Sequence, residues 1–306
     1  MYVFFYVLIC LIFGTTFLAI KVGIVAGGPP LLFAGLRFSC AGLLVLAFLA
    51  WRKHKFPRQT HLYWQMAKVG VCQTTVLFGV MYWAEQYIPS NLAALINAGT
   101  PMMVCLLGAL QLRQKLHLTQ LSGLLLGILG VYLIVGKGTV ETSSIVVTAV
   151  VIAALSQTVC AWGALETRKL FAAGVSPWVA NGFQMLFGSA GLLLAAAVRG
   201  ESFTEVTDPW GAFGSLLFLI FVGSILGWGL YYLLTAKTSP LLASTWSYVS
   251  PVVAMIVGAL WMGESFTVLS ALGGVIVLAA VAIVNWVDWK KLMQDMQGRK
   301  DRSFVS

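Results

Sequence analysis

Residues 93–110 read AALINAGTPMMVCLLGAL, and residues 243–260 read ASTWSYVSPVVAMIVGAL. Laid over each other, they share Ala93 with Ala243, Pro101 with Pro251, and Gly108-Ala109-Leu110 with Gly258-Ala259-Leu260. The match extends outward without a gap over 77–128 and 227–278, a shift of 150 residues. Gly79 then meets Gly229, Tyr82 meets Tyr232, and Gly123 meets Gly273. Nearer the start, a shift of 147 brings together Lys21 and Arg168, Gly27 and Gly174, and Pro30 and Pro177. The chain is a duplication.

Composition says where the two copies lie. Of 306 residues, 59% are hydrophobic and 9% charged, with a mean hydropathy of +0.91. That balance excludes a soluble domain and fits a polytopic membrane protein. Ten apolar segments are expected at 2–22, 30–51, 64–86, 90–112, 119–136, 145–168, 177–198, 210–235, 240–262 and 266–287. Most exceed the roughly 18 residues that cross a bilayer. They are continuously apolar rather than alternating, so they are helices and not barrel strands. The first is read as a retained helix, since it lacks the basic start and cleavage site of a signal peptide. The fold class is therefore all-α. Residues 1–138 form one five-helix repeat, 139–289 a second, and 290–306 a basic tail, with the polar stretch 137–144 as the seam. Five crossings per copy turn the second copy upside down. Inverted repeats of this kind characterise secondary transporters, with a site near the midplane between the halves.

The net charge of +9 is a matter of topology, not of nucleic acid. Arg52, Lys53, Lys55, Arg58, Lys68, Arg113, Lys115, Arg168, Lys169, Lys237 and the tail lysines and arginines fall on alternate connections. The other side keeps Lys21, Lys137 and Arg199 among acids such as Glu85, Glu201 and Asp208. By the positive-inside rule both termini are cytoplasmic. Cys10, Cys40, Cys72, Cys105 and Cys160 all fall within spans and have no metal-ligand spacing, so they read as packing residues. No cofactor or metal is expected.

Pro101 and Pro251 sit near the middle of their spans. Each withholds the hydrogen bond owed to a carbonyl four residues earlier, at Asn97 and Ser247. In lipid a freed carbonyl faces protein, water or a ligand, so both prolines are expected as helix breaks lining a cavity. Gly123-x-x-x-Gly127 and Gly223-x-x-x-Gly227 have the spacing of close helix contacts. Arg37 lies about 10 Å along its helix from the outer end. A guanidinium there is costly unless it meets a cavity or a partner, and an anionic substrate group is one such partner. Its repeat mate is the neutral Gln184. Lys21 and Glu85, nearer the outer boundary, are candidates for a gate or a coupling pair. Tyr82, Trp162, Tyr232, Trp246 and Tyr248 offer flat apolar faces with a polar edge. With Arg37, Asn97, Gln184 and Ser247 they make the expected substrate-binding set. Trp51, Trp64, Trp178, Trp210, Trp286 and Trp289 read as an interfacial belt.

The opening Phe13-Gly14-Thr15-Thr16-Phe17-Leu18-Ala19-Ile20-Lys21, then Pro29-Pro30 and Gly35-Leu36-Arg37-Phe38, resembles the drug/metabolite transporter (DMT) superfamily and, within it, the ten-helix EamA-type exporters. Ala84-Glu85-Gln86-Tyr87-Ile88-Pro89-Ser90 and the turn Trp261-Met262-Gly263-Glu264-Ser265-Phe266 resemble it too. The turn Arg113-Gln114-Lys115 departs from it, with Gln114 where a glutamate is common. The resemblance implies a two-bundle protein of a bacterial plasma or inner membrane that exports amino acids or related small metabolites, amphipathic drugs among them. The partners expected are the small-molecule substrate and membrane lipid, with no nucleic acid, and a monomer is favoured over a homodimer. A non-transporting membrane scaffold or assembly factor is the alternative. An intramembrane enzyme comes last, because His54, His61 and His117 all lie in loops and no acid pair falls within a span.

Overall fold

The computed structural model describes residues 2–88, 90–112, 118–135, 143–262, 268–269 and 271–284. The turns at 113–117 and 263–267, most of the seam and the basic tail lie outside the described residues, as do Trp286 and Trp289. Among the described residues every regular element is a helix.

The first repeat holds α1 (Tyr2–Val25), α2 (Pro30–Trp51), α3 (Thr60–Gly70), α4 (Leu77–Ala84), α5 (Ser90–Asn97), α6 (Thr100–Leu112) and α7 (Leu118–Val135). A π-helical stretch, Val71–Val76, runs between α3 and α4. The second holds α8 (Ser144–Ala172), α9 (Pro177–Arg199), α10 (Pro209–Phe218), α11 (Gly229–Lys237), α12 (Pro240–Ser244), α13 (Trp246–Met262) and α14 (Ala271–Val284). A second π-helical stretch, Leu219–Trp228, joins α10 to α11. Helices long and apolar enough to cross a membrane occur in both repeats.

The duplication is visible atom by atom. At the end of α1 Gly27 has φ +84°, and at the end of α8 Gly174 has φ +83°. Each follows a helix whose last carbonyl is closed by a six-to-one bond, Gly28 N to Gly23 O and Val175 N to Leu170 O, both 3.0 Å. This left-handed turn favours glycine because it has no Cβ to clash. Pro30 and Pro177 then open α2 and α9 at a position where the missing N–H costs nothing. The two π-helical stretches also fall at matching places in their repeats.

The packing of α2 on α9 shows the inversion. Gly35 abuts Leu193, the Ser39 hydroxyl meets that of Ser189 at 2.9 Å, Gly42 lies on Leu186, and Gly182 abuts Leu46. Contacts that rise along one helix fall along the other, so the two are antiparallel. Gly35 on Leu193 and Gly182 on Leu46 are the same contact exchanged between repeats. Only a two-fold axis perpendicular to both helices produces that pattern. At one end of this pair the Glu201 carboxylate accepts from the Leu31 and Leu32 N–H groups at 2.8 and 2.9 Å. It caps α2 from the end of α9 and complements the helix dipole.

Two sequence expectations change in detail. The chain breaks near the prolines but not at them. In the first repeat the turn is at Ala98-Gly99, and Pro101 is the second residue of α6, where proline is well tolerated. In the second repeat the turn is at Thr245, and Pro251 lies inside α13. Hydroxyls hold both turns: Thr100 Oγ1 donates to Asn97 O at 2.7 Å, and Thr245 Oγ1 to Leu242 O at 2.7 Å. The expected symmetry of the two breaks is therefore offset by several residues. The spaced glycines meet other helices of the same chain: Gly127 receives the Tyr248 ring, Gly123 meets Val284, and Gly227 meets Ile12 and Phe13.

Where α3 crosses α9, Gly70 and Gly188 face each other so closely that a Cβ on either would strike backbone. Gly188→Val is expected to destabilise the protein by at least the roughly 1–3 kcal/mol typical of overpacking, lowering the unfolding midpoint in detergent. Gly214→Ala, with nothing within 4 Å of the added carbon, is the matched control and leaves the midpoint unchanged or raised.

Candidate functional site

α1, α2, α4 and α5 meet the end of the second π-helical stretch and the start of α13 around one cavity. Its walls are Phe13, Thr16, Phe17 and Ile20 of α1, Arg37 of α2, and Leu77, Phe78 and Met81 of α4. Glu85, Asn97, Trp228 and Trp246 complete them. About 30 Å³ of it is open to the centres of water-sized spheres, room for about two waters. The aromatic walls interlock: Phe13 lies 4.3 Å from Trp246 and 5.7 Å from Trp228, centroid to centroid.

Arg37 is the cation among its lining residues and is 1% exposed. Nε donates to Ser224 Oγ at 2.8 Å and Nη1 to the Tyr82 hydroxyl at 3.2 Å. The guanidinium carbon stands 4.6 Å from the Phe38 ring centroid and 5.1 Å from that of Phe78, which adds cation–π attraction. Gly223 makes room for Nη2, since a side-chain carbon there would lie 3.0 Å from it. Two bonds and two rings hold the group while part of its donor fork remains available.

The repeat mates of these residues form a second cluster with a different filling. Shifting Arg37 and Ser224 between the halves gives Gln184 and Thr74, and Thr74 Oγ1 donates to Gln184 Oε1 at 2.7 Å. Shifting Gly223 gives Gln73, whose Oε1 accepts from the Tyr232 hydroxyl at 2.6 Å. Thus the glycine that leaves space in one half is replaced by a glutamine that fills it in the other. Gln184, Tyr232 and Gln73 are buried there, away from the cavity.

The expected site residues therefore divide. Arg37, Asn97, Trp246 and Glu85 line the cavity, with Tyr82 behind Arg37. Ser247 bonds the Ser244 carbonyl at 3.0 Å and Tyr248 the Leu124 carbonyl at 3.2 Å; both serve the α12–α13 turn and its packing on α7. Trp162 is half-buried on α8 and is not among the lining residues. Lys21 and Glu85 meet, but not as the ion pair that opposite charges invite. Lys21 Nζ donates to the main-chain carbonyl of Glu85 at 3.0 Å, because that carbonyl, at the open end of α4, lacks a helical partner. Glu85 itself is fully buried and lines the cavity. Four polar atoms of lining residues have no hydrogen-bond partner: both Glu85 carboxyl oxygens, Asn97 Nδ2 and Trp228 Nε1. Trp51, Trp64 and Trp210 are exposed, as a belt requires, while Trp178 packs on Gly229. Sequence reading missed Ser224 as Arg37's partner, although the two repeat shifts place it opposite Thr74 just as they place Arg37 opposite Gln184.

Comparison with known proteins agrees with this architecture. The model of the EamA-like transporter family matches residues 1–136 and again 145–286. An "Uncharacterized inner membrane transporter YedA" of Escherichia coli (strain K12) is 31% identical over 276 residues, covering 89% of this chain and 87% of the relative. A "Probable amino-acid metabolite efflux pump" of the same strain is 26% identical over 294 residues, covering 94% and 96%. A solved crystal structure superposes with a TM-score of 0.72 at 17% identity, over 94% of this chain and 97% of that one, a likeness of fold. The chain is a multi-pass membrane transporter and belongs to the EamA-like transporter family.

Proposed function

We propose that this protein is a secondary carrier that exports amino acids or related small metabolites by alternating access, in a bacterial inner membrane, as a monomer with both termini cytoplasmic. The observation that carries the reading is the set of unsatisfied polar atoms around one aromatic-walled cavity. Buried donors and acceptors without partners are costly, and among the described residues four of the seven such atoms belong to this cavity's lining. Trp228 Nε1, Asn97 Nδ2 and the free part of the Arg37 fork are donors for a carboxylate. The Glu85 oxygens are acceptors for an ammonium. The rings of Phe13, Phe17, Phe78 and Trp246 suit an apolar side chain.

A two-fold axis in the membrane plane relates the two halves, and exchange of their conformations opens one end as it closes the other. The filled Gln73–Tyr232 cluster and the open Arg37 pocket differ by sequence, with glutamine in one half where the other has glycine. The relative named as an amino-acid metabolite efflux pump supports the direction and the cargo. Binding of amphipathic drugs uses the same rings and does not need Glu85.

Counterflow into proteoliposomes preloaded with a panel of amino acids and cationic drugs tests the reading. Exchange of at least one amino acid is expected, and no exchange of any amino acid by folded protein would refute it. Arg37→Gln is expected to raise KM for carboxylate-bearing cargo about ten- to hundredfold, the value of a lost charge-assisted hydrogen bond of about 1.5–3 kcal/mol. Unchanged kinetics would remove Arg37 from the site. Reporter fusions check the orientation: a fluorescent protein at either end is expected to mature in the cytoplasm, whereas a periplasmic phosphatase fused at Gly200 is expected to be active.

A further inference from the structure

In the last two turns of α2 the wall of the protein opens into a groove of about 380 Å³, against about 30 Å³ in the central cavity. Leu44, Val45, Phe48 and Leu49 of α2 line it with Ile225 of the second π-helical stretch, and Trp178 of α9, which packs on Gly229, completes it. Leu44 and Phe48 are 45% and 56% exposed, so the groove faces out of the bundle. Its lining residues are all apolar, and lipid tails match such a surface. Leu44 lies about 12 Å along the helix from Arg52, where the chain leaves α2. The charge gathered at that end states which lipid fits.

Because α2 and α9 are antiparallel, the end of α2 meets the start of α9, and at the opposite face the end of α9 meets the start of α2. The duplication makes the two junctions comparable. Gly200 N donates to Ala197 O at 3.1 Å and Glu201 N to Ala196 O at 3.0 Å. Their mates at a shift of 147, Lys53 N to Ala50 O and His54 N to Leu49 O, both measure 2.9 Å. The backbone is the same and the chemistry is not. Gly200 has φ +68°, and Lys53 holds that left-handed turn at φ +53°, the one non-glycine residue with positive φ among the described residues. A lysine adopts this conformation less readily than glycine. Glu201, whose carboxylate accepts from Leu31 and Leu32, is exchanged for His54. The N–H groups equivalent to those of Leu31 and Leu32 belong to Trp178 and Val179, and α9 starts without a side-chain cap. The connection 52–59 holds no acid and brings Arg52, Lys53, His54, Lys55 and Arg58, all exposed. Glu166, near the end of α8, is taken by Lys169. One junction is neutralised from within the chain. The other sets positive side chains beside the positive end of a helix, next to an apolar groove.

We infer that this groove and the basic junction beside it hold one anionic phospholipid. An acyl chain lies over Leu44 and Phe48, and the phosphate stands where the Glu201 carboxylate stands in the other half, at the Trp178 and Val179 N–H groups, with Arg52 and Lys53 as counter-ions. Trp178 belongs to both parts of the site, its ring to the groove and its N–H to the headgroup. Basic pockets between membrane helices suit such headgroups, and the start of a helix suits a phosphate.

The test uses the full chain, delipidated in a non-ionic detergent. Native mass spectrometry counts bound lipid as phosphatidylglycerol or phosphatidylcholine with identical chains is added. One phosphatidylglycerol is expected to bind about tenfold or more tighter than the zwitterionic lipid, the value of one or two basic groups near a headgroup. Equal affinity overturns the proposal. Lys53→Gly takes up the turn that Gly200 already makes, so the fold is kept. Combined with Arg52→Gln, it is expected to bring the two lipids within about twofold of each other. A preference undiminished by the pair of changes overturns this junction as the site. Leu44→Trp fills the groove, leaves the cations in place, and is expected to weaken both lipids about tenfold; should it fail to fold, Phe48→Asn on the exposed rim replaces it. Unchanged affinity in the variant that folds overturns the groove as the seat of the chain. Glycerol 3-phosphate, an anion without acyl chains, is expected not to displace the lipid at equal concentration. Displacement would make a soluble anion the occupant and overturn the lipid.

Discussion

The antiparallel crossing of α2 and α9 is the constraint on which the other features depend. Each helix contributes the same surface, small residues at Gly35 and Gly182 receiving the leucines Leu193 and Leu46. Self-complementary contact fixes the two repeats about a dyad perpendicular to the helices. From there the rest follows. α3 reaches α9 through Gly70 and Gly188, the second π-helical stretch reaches α2 through Gly223, and the Glu201 carboxylate locks the start of α2 to the end of α9. Because backbone lies against backbone where Gly70 meets Gly188, that crossing has little freedom to slide. They place Arg37 and Gln184 at equivalent heights in opposite halves.

The cavity lies where that equivalence fails. The framework pairs, Arg37 with Ser224 and Gln184 with Thr74, differ by 0.1 Å in length. What differs is the occupant beside them, glycine in one half and glutamine in the other. Burial of an arginine is tolerable when its donors are engaged and its face lies on rings. Ser224, Tyr82, Phe38 and Phe78 supply those terms, while Gly223 supplies the room. The same room is the wall of the cavity. In the other half the Tyr232 hydroxyl donates to Gln73 Oε1 and the two side chains fill the space.

Much of the fold was legible in the sequence, because it is carried by residues whose roles are local. Gly27 and Gly174 mark the same left-handed turn, Pro30 and Pro177 the same helix start, and the apolar runs mark the spans. The site was only half legible. Arg37 stands out because charge in lipid is rare, but its partner Ser224 is an ordinary serine whose importance is purely spatial. The full burial of Glu85 was not legible, since it is set by how α4 ends against α1 and α5 rather than by the residue's place in the chain. Pro101 and Pro251 drew attention to the correct stretches. The actual turns are held by Thr100 and Thr245, whose hydroxyl bonds are matters of rotamer rather than pattern. Ser247, Tyr248 and Gln184 illustrate the converse: a polar residue in a span is often there to satisfy its neighbours.

The unequal charges of the two repeats bear on why they are joined in one chain. A self-complementary crossing is also what a pair of separate five-helix proteins would use to assemble. Two copies of the first half would bring two guanidinium groups and two carboxyls to the axis; two copies of the second would bring glutamines and threonines in their place. Neither pairing yields one cation and one acid facing a single cavity. Fusion into a single polypeptide lets each half diverge while the contact between them stays symmetric, so the molecule keeps the mechanics of a homodimer with the recognition chemistry of a heterodimer.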